Sequence, residues 1–285
     1  MPELPEVETI RQSLNKIIIN KRIIKTIIHR PKIVASNSNK RKVSPQKTAE
    51  LMIGVENQNI LSIKRIAKHL IIELSSGYLL IHLKMTGQLL YSSDSNSKFL
   101  NKHTCVEFYL DDGSLLLYND IRQFGYVLYF TNYQELIDSN CIKDYGSDPY
   151  LEELIFEVIY NGYQKKNKTF KQVCLEQSVI CGLGNIYADE VAFASKILPT
   201  RISKTLTKDE VTKVIKESKR IVSLAVASGG SSVSDYTDGE GQNGSYQNYH
   251  LVYGRKGKEC KNCQNILEHT KLAGRMTVFC KVCQK

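Results

Sequence analysis

Cys260, Cys263, Cys280 and Cys283 form a C-x2-C pair, a spacer over residues 264–279, and a second C-x2-C pair. This is the spacing of a structural zinc site in which two short knuckles each supply two thiolates to a tetrahedral ion. It predicts that residues 251–285 fold as a small finger around one structural Zn2+. A thiol–disulfide redox centre would need only one C-x-x-C. The N-terminus has acidic residues where a secretory signal would be basic and apolar, and no apolar run is long enough to cross a bilayer, so the chain is expected to be cytoplasmic. A disulfide framework does not fit that reducing compartment.

Around these cysteines lie Arg255, Lys256, Lys258, Lys261, Lys271, Arg275 and Lys281, as suits a finger that meets phosphates. The alternative is a solvated basic tail. Over all 285 residues, 39 Lys and Arg face 29 Asp and Glu, a formal charge of +10 that favours a polyanionic partner.

The other end of the chain reads "MPELPEVET". Removal of Met1 is expected, because the residue behind it is small, and Pro2 would then carry a free secondary amine. From Val7, the positions Val7, Ile10, Leu14, Ile17 and Ile18 follow helical spacing, and Pro2 and Pro5 are tolerated at or before a first turn. Glu3, Glu6 and Glu8 suit the positive end of that helix. The helix dipole accounts for the acids but gives no reason for an N-terminal proline.

From about 22 to 130 the chain reads as short strands broken by Ser75-Ser76-Gly77 and Asp111-Asp112-Gly113, hairpins without intervening helices. That pattern predicts an antiparallel sandwich or barrel. After 145–150 it turns helical, with helices expected at roughly 151–162, 168–178, 185–195 and 207–228. A Gly- and Ser-rich run after residue 228 is expected to be a long mobile loop.

With "PELPEVE", "GLGNIYADE" and the four cysteines in this order, the chain resembles the formamidopyrimidine-DNA glycosylases, a family of bacterial base-excision repair enzymes. The resemblance runs from end to end. It implies an α+β protein: an N-terminal antiparallel β-sandwich with a leading helix over 1–133, a hinge over 134–150, a helical helix-two-turn-helix domain over 151–250, and the zinc finger over 251–285. It further implies excision of oxidised purines such as 8-oxoguanine and formamidopyrimidines from damaged double-stranded DNA, followed by strand cleavage. The enzyme would work as a monomer with no membrane and no small-molecule cofactor.

By the same resemblance Pro2 is the nucleophile and Glu3 the acid that assists ring opening. Glu6 is a further acidic position near the site, and Lys68 serves β-elimination. Arg275 matches an arginine credited with a phosphate contact and a proton donation, of which the contact fits a guanidinium better. Met85, Arg122 and Phe124 match the side chains that fill the void left by an extruded base. His103, Lys166 and Asn185 match phosphate contacts, the last at a helix start behind Gly182 and Gly184. Three positions depart from the family pattern: Gln123 where a second basic residue is common, Cys105 where a histidine often stands, and Glu176 in place of Asp. The sister enzyme endonuclease VIII shares the proline, the glutamate and the finger but prefers oxidised pyrimidines. A catalytically silent DNA-binding protein of the same fold would share the charge and the finger.

Overall fold

The computed structural model describes residues 1–37, 42–142 and 144–285. Residues 38–41, in the stretch expected to be strands, and residue 143, in the expected hinge, lie outside the described residues. The chain divides into two compact units, Met1–Lys143 with Gly229–Ser245, and Asp144–Ser228 with Tyr246–Lys285.

In the first unit, helix α1 (Leu4–Asn15) buries Val7, Ile10 and Leu14, the apolar stripe read from the sequence. Pro5 sits in its first turn, where a missing N–H costs nothing. Glu3 is the N-cap, and its backbone N–H donates to Glu6 Oε2 at 2.8 Å, the return half of a capping box.

The strands are β1 (Arg22–Ile28), β2 (Gln58–Ile66), β3 (His69–Leu74), β4 (Tyr78–His82), β5 (Gly87–Ser92), β6 (Thr104–Leu110), β7 (Leu115–Asp120) and β8 (Tyr126–Phe130). They run in the order β5-β7-β6-β1-β2-β3-β4-β8, antiparallel throughout. β1 and β2 meet only through Arg22 with Asn59 and Ile23 with Gln58, so the sheet has two halves. Val106, Phe108 and Leu116 of one half share a single core with Ile63, Leu70 and Ile81 of the other, and α1 contributes to it. That shared core makes the sandwich. Both turns named from the sequence close hairpins, β3–β4 at residues 75–77 and β6–β7 at 111–114.

The strands are not free of helices, contrary to the sequence reading. Helix α2 (Pro45–Val55) lies between β1 and β2, capped by Ser44 Oγ on Lys47 N at 3.2 Å. It buries only Leu51 and Val55, too few apolar positions to reveal a helical period. Helix α3 (Tyr133–Asp138) occupies the start of the expected hinge and packs on β4 and β8, so 134–142 belongs to the first unit.

The second unit contains α4 (Phe156–Gln164), α5 (Phe170–Glu176), α6 (Asn185–Ala194), α7 (Lys208–Ala227) and a ribbon of β9 (Glu268–Leu272) and β10 (Arg275–Phe279). Capping boxes start α5, from Thr169 and Gln172, and α7, from Thr207 and Glu210. α6 is buried on nearly every face, from Ile186 to Phe193, as befits a central helix.

The run after residue 228 also departs from expectation, since the resemblance places it in the helical domain whereas Gly229–Ser245 belongs to the first unit. Gly239 N donates to Ser13 Oγ at 3.1 Å, Tyr91 N donates to Gly239 O at 2.7 Å, and Gln88 Nε2 donates to Asp235 O at 2.7 Å. At its neck a Cβ on Gly244 would lie 2.2 Å from Gly230 O, so backbone meets backbone and only glycine fits.

Candidate active site and nucleic-acid interface

Pro2 is buried, and so are Glu3 and Glu6 behind it, Glu3 being 2% exposed. Glu6 joins two parts of the first unit. One carboxylate oxygen accepts from Glu3 N, and the other accepts from Ser231 N at 2.8 Å. Tyr236 Oη, further along the loop, donates to Gly229 O at 3.1 Å and approaches Glu6 O at 3.3 Å. The segment beside Pro2 is thus fastened to the Gly-rich loop through one carboxylate.

Lys68 lies in the two-residue turn between β2 and β3, where Ile66 pairs with His69. Ala67 has φ 51°, the left-handed value that a primed hairpin turn requires at its first central residue. Lys68 itself is buried. Next to it lies a cluster that sequence reasoning missed. His69 and His82 face each other across β3 and β4 with ring centroids 4.4 Å apart, and His69 Nε2 lies 2.7 Å from Tyr126 Oη. Lys84 N donates to His82 Nδ1 at 2.9 Å. Burial pushes the His69 imidazole down to about 3, and the charges of Lys84 and Lys68 push the same way. Burial likewise holds His82 well below its usual range. Both rings are therefore neutral at physiological pH, beside two lysines. The available signal was their register: counting back from the 75–77 turn places the two histidines opposite each other.

Met85, Arg122 and Phe124 come together at the surface. Arg122 Nη1 is 3.0 Å from Met85 Sδ, and the guanidinium carbon sits 4.5 Å above the Phe124 ring. Met85 is 43% exposed, which marks it as a surface side chain rather than core. Buried Asp120, also missed from the sequence, shapes this surface. Its Oδ1 accepts from Thr86 Oγ1 at 2.5 Å and Arg122 N at 3.1 Å, and its Oδ2 accepts from Gly125 N at 2.8 Å. A Cβ on Gly125 would fall 1.7 Å from Tyr118 Oη, so the chain can pass there only as glycine. The Asp120 N–H donates to His103 O at 3.0 Å, which ties His103 to the same support. Gln123 is exposed with φ 53°. Cys105 is buried, with Sγ 3.3 Å from His103 O.

In the second unit, Asn185 opens α6 directly after Gly184, and its Oδ1 is buried with no hydrogen-bond partner among the described residues. The backbone N–H groups at that helix start, rather than the amide oxygen, are what suit it to a phosphate. Lys166 Nζ pairs with Glu176 Oε2 at 3.0 Å, and Lys168 pairs with the other oxygen of the same carboxylate. Partial burial opposes ionisation of Glu176, but the two lysines win and hold its carboxyl below the usual range. Arg275 stands exposed at the start of β10, just after a turn in which Ala273 and Gly274 both have positive φ, the type I′ signature.

Four thiols lie within 4.8 Å of one another, with Cys260 Sγ to Cys283 Sγ at 3.9 Å and Cys263 Sγ to Cys280 Sγ at 3.5 Å. Tetrahedral Zn–S bonds of about 2.3 Å require sulfur separations of about 3.8 Å, so the cluster fits zinc. The ribbon is also held from α5 and α6. Lys171 Nζ donates to Asp189 Oδ1 at 2.6 Å and to Met276 O at 3.3 Å, while Asp189 Oδ2 accepts from Val278 N at 3.2 Å. The adjacent Glu190 carboxylate accepts from the backbone N–H groups of Leu251, Val252 and Tyr253.

A sandwich whose N-terminal residues are buried with two carboxylates, and a helical unit carrying a four-thiolate ribbon that fits zinc, define a two-unit zinc-ribbon class of protein. Residues 1–127 match the formamidopyrimidine-DNA glycosylase N-terminal domain, and residues 145–237 match the H2TH domain of the same enzymes. The formamidopyrimidine-DNA glycosylase of Ureaplasma parvum is 37% identical over 286 residues, covering all of both chains. That of Lactobacillus johnsonii is 37% identical over 285 residues, covering 100% of this chain and 99% of the relative. Among solved structures, a Lactococcus lactis FPG mutant in complex with a Fapy-dG containing DNA superposes with a TM-score of 0.89 at 31% identity, over 100% of both chains. Lactococcus lactis Fpg with an abasic site containing DNA gives 0.89 at 30% identity over 99% of both. The chain belongs to the formamidopyrimidine-DNA glycosylase family.

Proposed function

We infer that the chain is a bifunctional DNA glycosylase and AP lyase of base-excision repair, which removes oxidised purines from damaged duplex DNA and then cuts the strand. The observation that carries this reading is the family match along the whole chain; the roles of Pro2 and Glu3 come from the resemblance of the opening "PELPEVE" to the family. We further propose that it acts as a monomer in the cytoplasm without a small-molecule cofactor. The cysteines would hold one Zn2+, whose contribution is folding energy for the finger.

The chemistry follows from a secondary amine at the N-terminus. An α-amino group has a pKa of roughly 7.7 to 8.0, so a useful neutral fraction exists at physiological pH. After loss of Met1, the Pro2 nitrogen attacks C1′ of the damaged nucleotide, the glycosidic bond breaks, and the base leaves with its electron pair and a proton. Glu3 protonates the sugar ring oxygen as the ring opens. Because proline has no second N–H, the adduct is a cationic iminium. This cation draws electrons from the C2′–H bond, so loss of that proton expels the 3′ phosphate by β-elimination, and δ-elimination of the 5′ phosphate follows. Lys68 serves the first elimination. Arg275, His103, Lys166 and Asn185 hold phosphates, and Met85, Arg122 and Phe124 fill the gap in the stack. The Gly-rich loop anchored on Glu6 reads the flipped base.

The test is borohydride reduction with duplexes carrying 8-oxoguanine or an oxidised pyrimidine. The expected result is a covalent complex on the 8-oxoguanine duplex, mapped by mass spectrometry to Pro2. An adduct on a lysine, or equal reaction by a chain that keeps Met1, would overturn the mechanism. Preference for the pyrimidine would overturn the substrate.

A further inference from the structure

Glu8 and Arg65 form an ion pair whose two side chains are wholly buried, with Arg65 Nε donating to Glu8 Oε2 at 2.9 Å. Each partner stands on an element that carries a residue of the proposed reaction. Glu8 lies in α1, which Glu3 caps and Pro2 precedes. Arg65 lies in β2, just before the Ala67-Lys68 turn. The guanidinium also reaches that turn directly, since Arg65 Nη1 donates to Ala67 O at 3.0 Å.

The Glu8 carboxylate is aimed by further donors. Its Oε1 accepts from Arg11 Nη2 at 2.8 Å and Gln12 Nε2 at 3.0 Å. Burial opposes its charge, and Arg11 and Arg65 together hold its carboxyl below the usual range all the same. It is therefore a fixed anion on the rigid helix. Ala67 is the residue with φ 51°, and its carbonyl belongs to the peptide whose N–H is that of Lys68. Fixing that carbonyl holds the peptide plane that leads into Lys68, and so the place of its Cα in the turn. A buried ion pair is a poor device for stability alone, because apolar groups of the same shape often do as well. It is a good device for holding two elements in one register.

We propose that Glu8 and Arg65 are positioning residues for strand cleavage: the pair sets Lys68 against the Pro2–Glu3 segment, so Arg65 governs β-elimination more than base excision. The proposal rests on the roles given above to Pro2 and Lys68. It predicts an uncoupled enzyme, because excision needs Pro2 and Glu3 whereas elimination also needs Lys68.

The experiment is single-turnover reaction of an 8-oxoguanine duplex by Arg65→Met, by the double variant Glu8→Gln/Arg65→Met, by Lys68→Met, and by Arg65→Met/Lys68→Met. Each time point is split: hot alkali reveals every excised base, and the untreated half shows only enzymatic nicks. A misplacement of about 1 Å can cost on the order of 100-fold, so nicking by Arg65→Met should fall at least tenfold while excision falls less than about threefold. Lys68→Met should show the same split, and adding Arg65→Met to it should cost nothing more. If Arg65→Met does not fold, the double variant, which leaves no buried charge unpaired, must show the split instead. Parallel loss of excision and nicking, or independent losses that multiply with Lys68→Met, would reduce the pair to a structural contact and overturn the proposal. Failure of the underlying reading looks different: the unaltered enzyme would give no borohydride adduct at Pro2, or Lys68→Met would nick at the normal rate.

Discussion

Acidification should cost this protein a defined amount of stability through His69. The folded-state pKa of about 3 lies far below the ordinary 6.5, chiefly because the ring is buried. Between those values the unfolded chain binds a proton that the folded chain does not, so stability is complete above about pH 6.5 and is lost as pH falls toward 3. One proton contributes about 1.36 kcal/mol per pH unit, so lowering the pH from about 6.5 to about 5 should cost roughly 2 kcal/mol from this ring. His82 acts in the same direction. The assay is urea unfolding of the natural chain and of His69→Gln across that interval. The glutamine cannot titrate but keeps a polar group for Tyr126, and the carboxylates common to both proteins cancel in the difference. The natural chain should lose about 2 kcal/mol more than the variant. Parallel stability profiles would mean that the buried ring takes up its proton in the folded state, and the reasoning would be refuted.

Met85→Ala should slow excision much more than it weakens affinity for undamaged duplex, with a stability change within about 0.5 kcal/mol because the side chain is a surface one; equal losses in rate and affinity would return Met85 to a packing role. Chelation of the metal, or Cys283→Ser, should abolish tight duplex binding while the sandwich still unfolds cooperatively, as urea titration followed by tyrosine fluorescence would show. Gln123→Arg should steepen the slope of log affinity against log salt by roughly 0.9, one added phosphate contact, and leave lesion preference unchanged; an unaltered slope would mean that position 123 does not face a phosphate.

What could be read in the sequence was local. The α1 stripe needs only residues within three turns, the hairpins announce themselves through Gly77 and Gly113, and the finger is written in cysteine spacing. What could not be read depends on partners far apart in the chain. Ser231 reaches Glu6 across 225 positions, and no composition rule shows that a Gly-rich run after a helix will pack on the other unit. Asp120 carries no motif in the sequence, and its role as a common acceptor appears only once Thr86, Arg122 and Gly125 converge on it. Lys166 is expected as a phosphate contact; its engagement by Glu176 is not legible, because the lysine lies in the loop before α5 and the acid ten residues on at the end of that helix.

The second unit adds a constraint on how its cations can act. α6 opens with Asn185 and, one turn later, presents Asp189 and Glu190 to the finger: Asp189 holds Val278 of β10, and Glu190 holds the backbone of 251–253. Arg275 is three residues from Val278 on the same strand, so the helix start and the arginine are spaced by hydrogen bonds that do not involve the thiols. A zinc ion held by the four thiols would fix the far end of the ribbon, at Cys280 and Cys283. The tie to α6 and the thiolate cluster therefore act on the same ribbon, and they fail differently. Removing the metal frees the knuckles but leaves β10 tied at Val278, whereas Asp189→Asn would keep the metal and slacken the tie to α6. If Arg275 grips a phosphate at a fixed distance from Asn185, Asp189→Asn should lower DNA affinity with full zinc occupancy by metal analysis. Undiminished affinity would show that the Asp189–Val278 tie does not place Arg275.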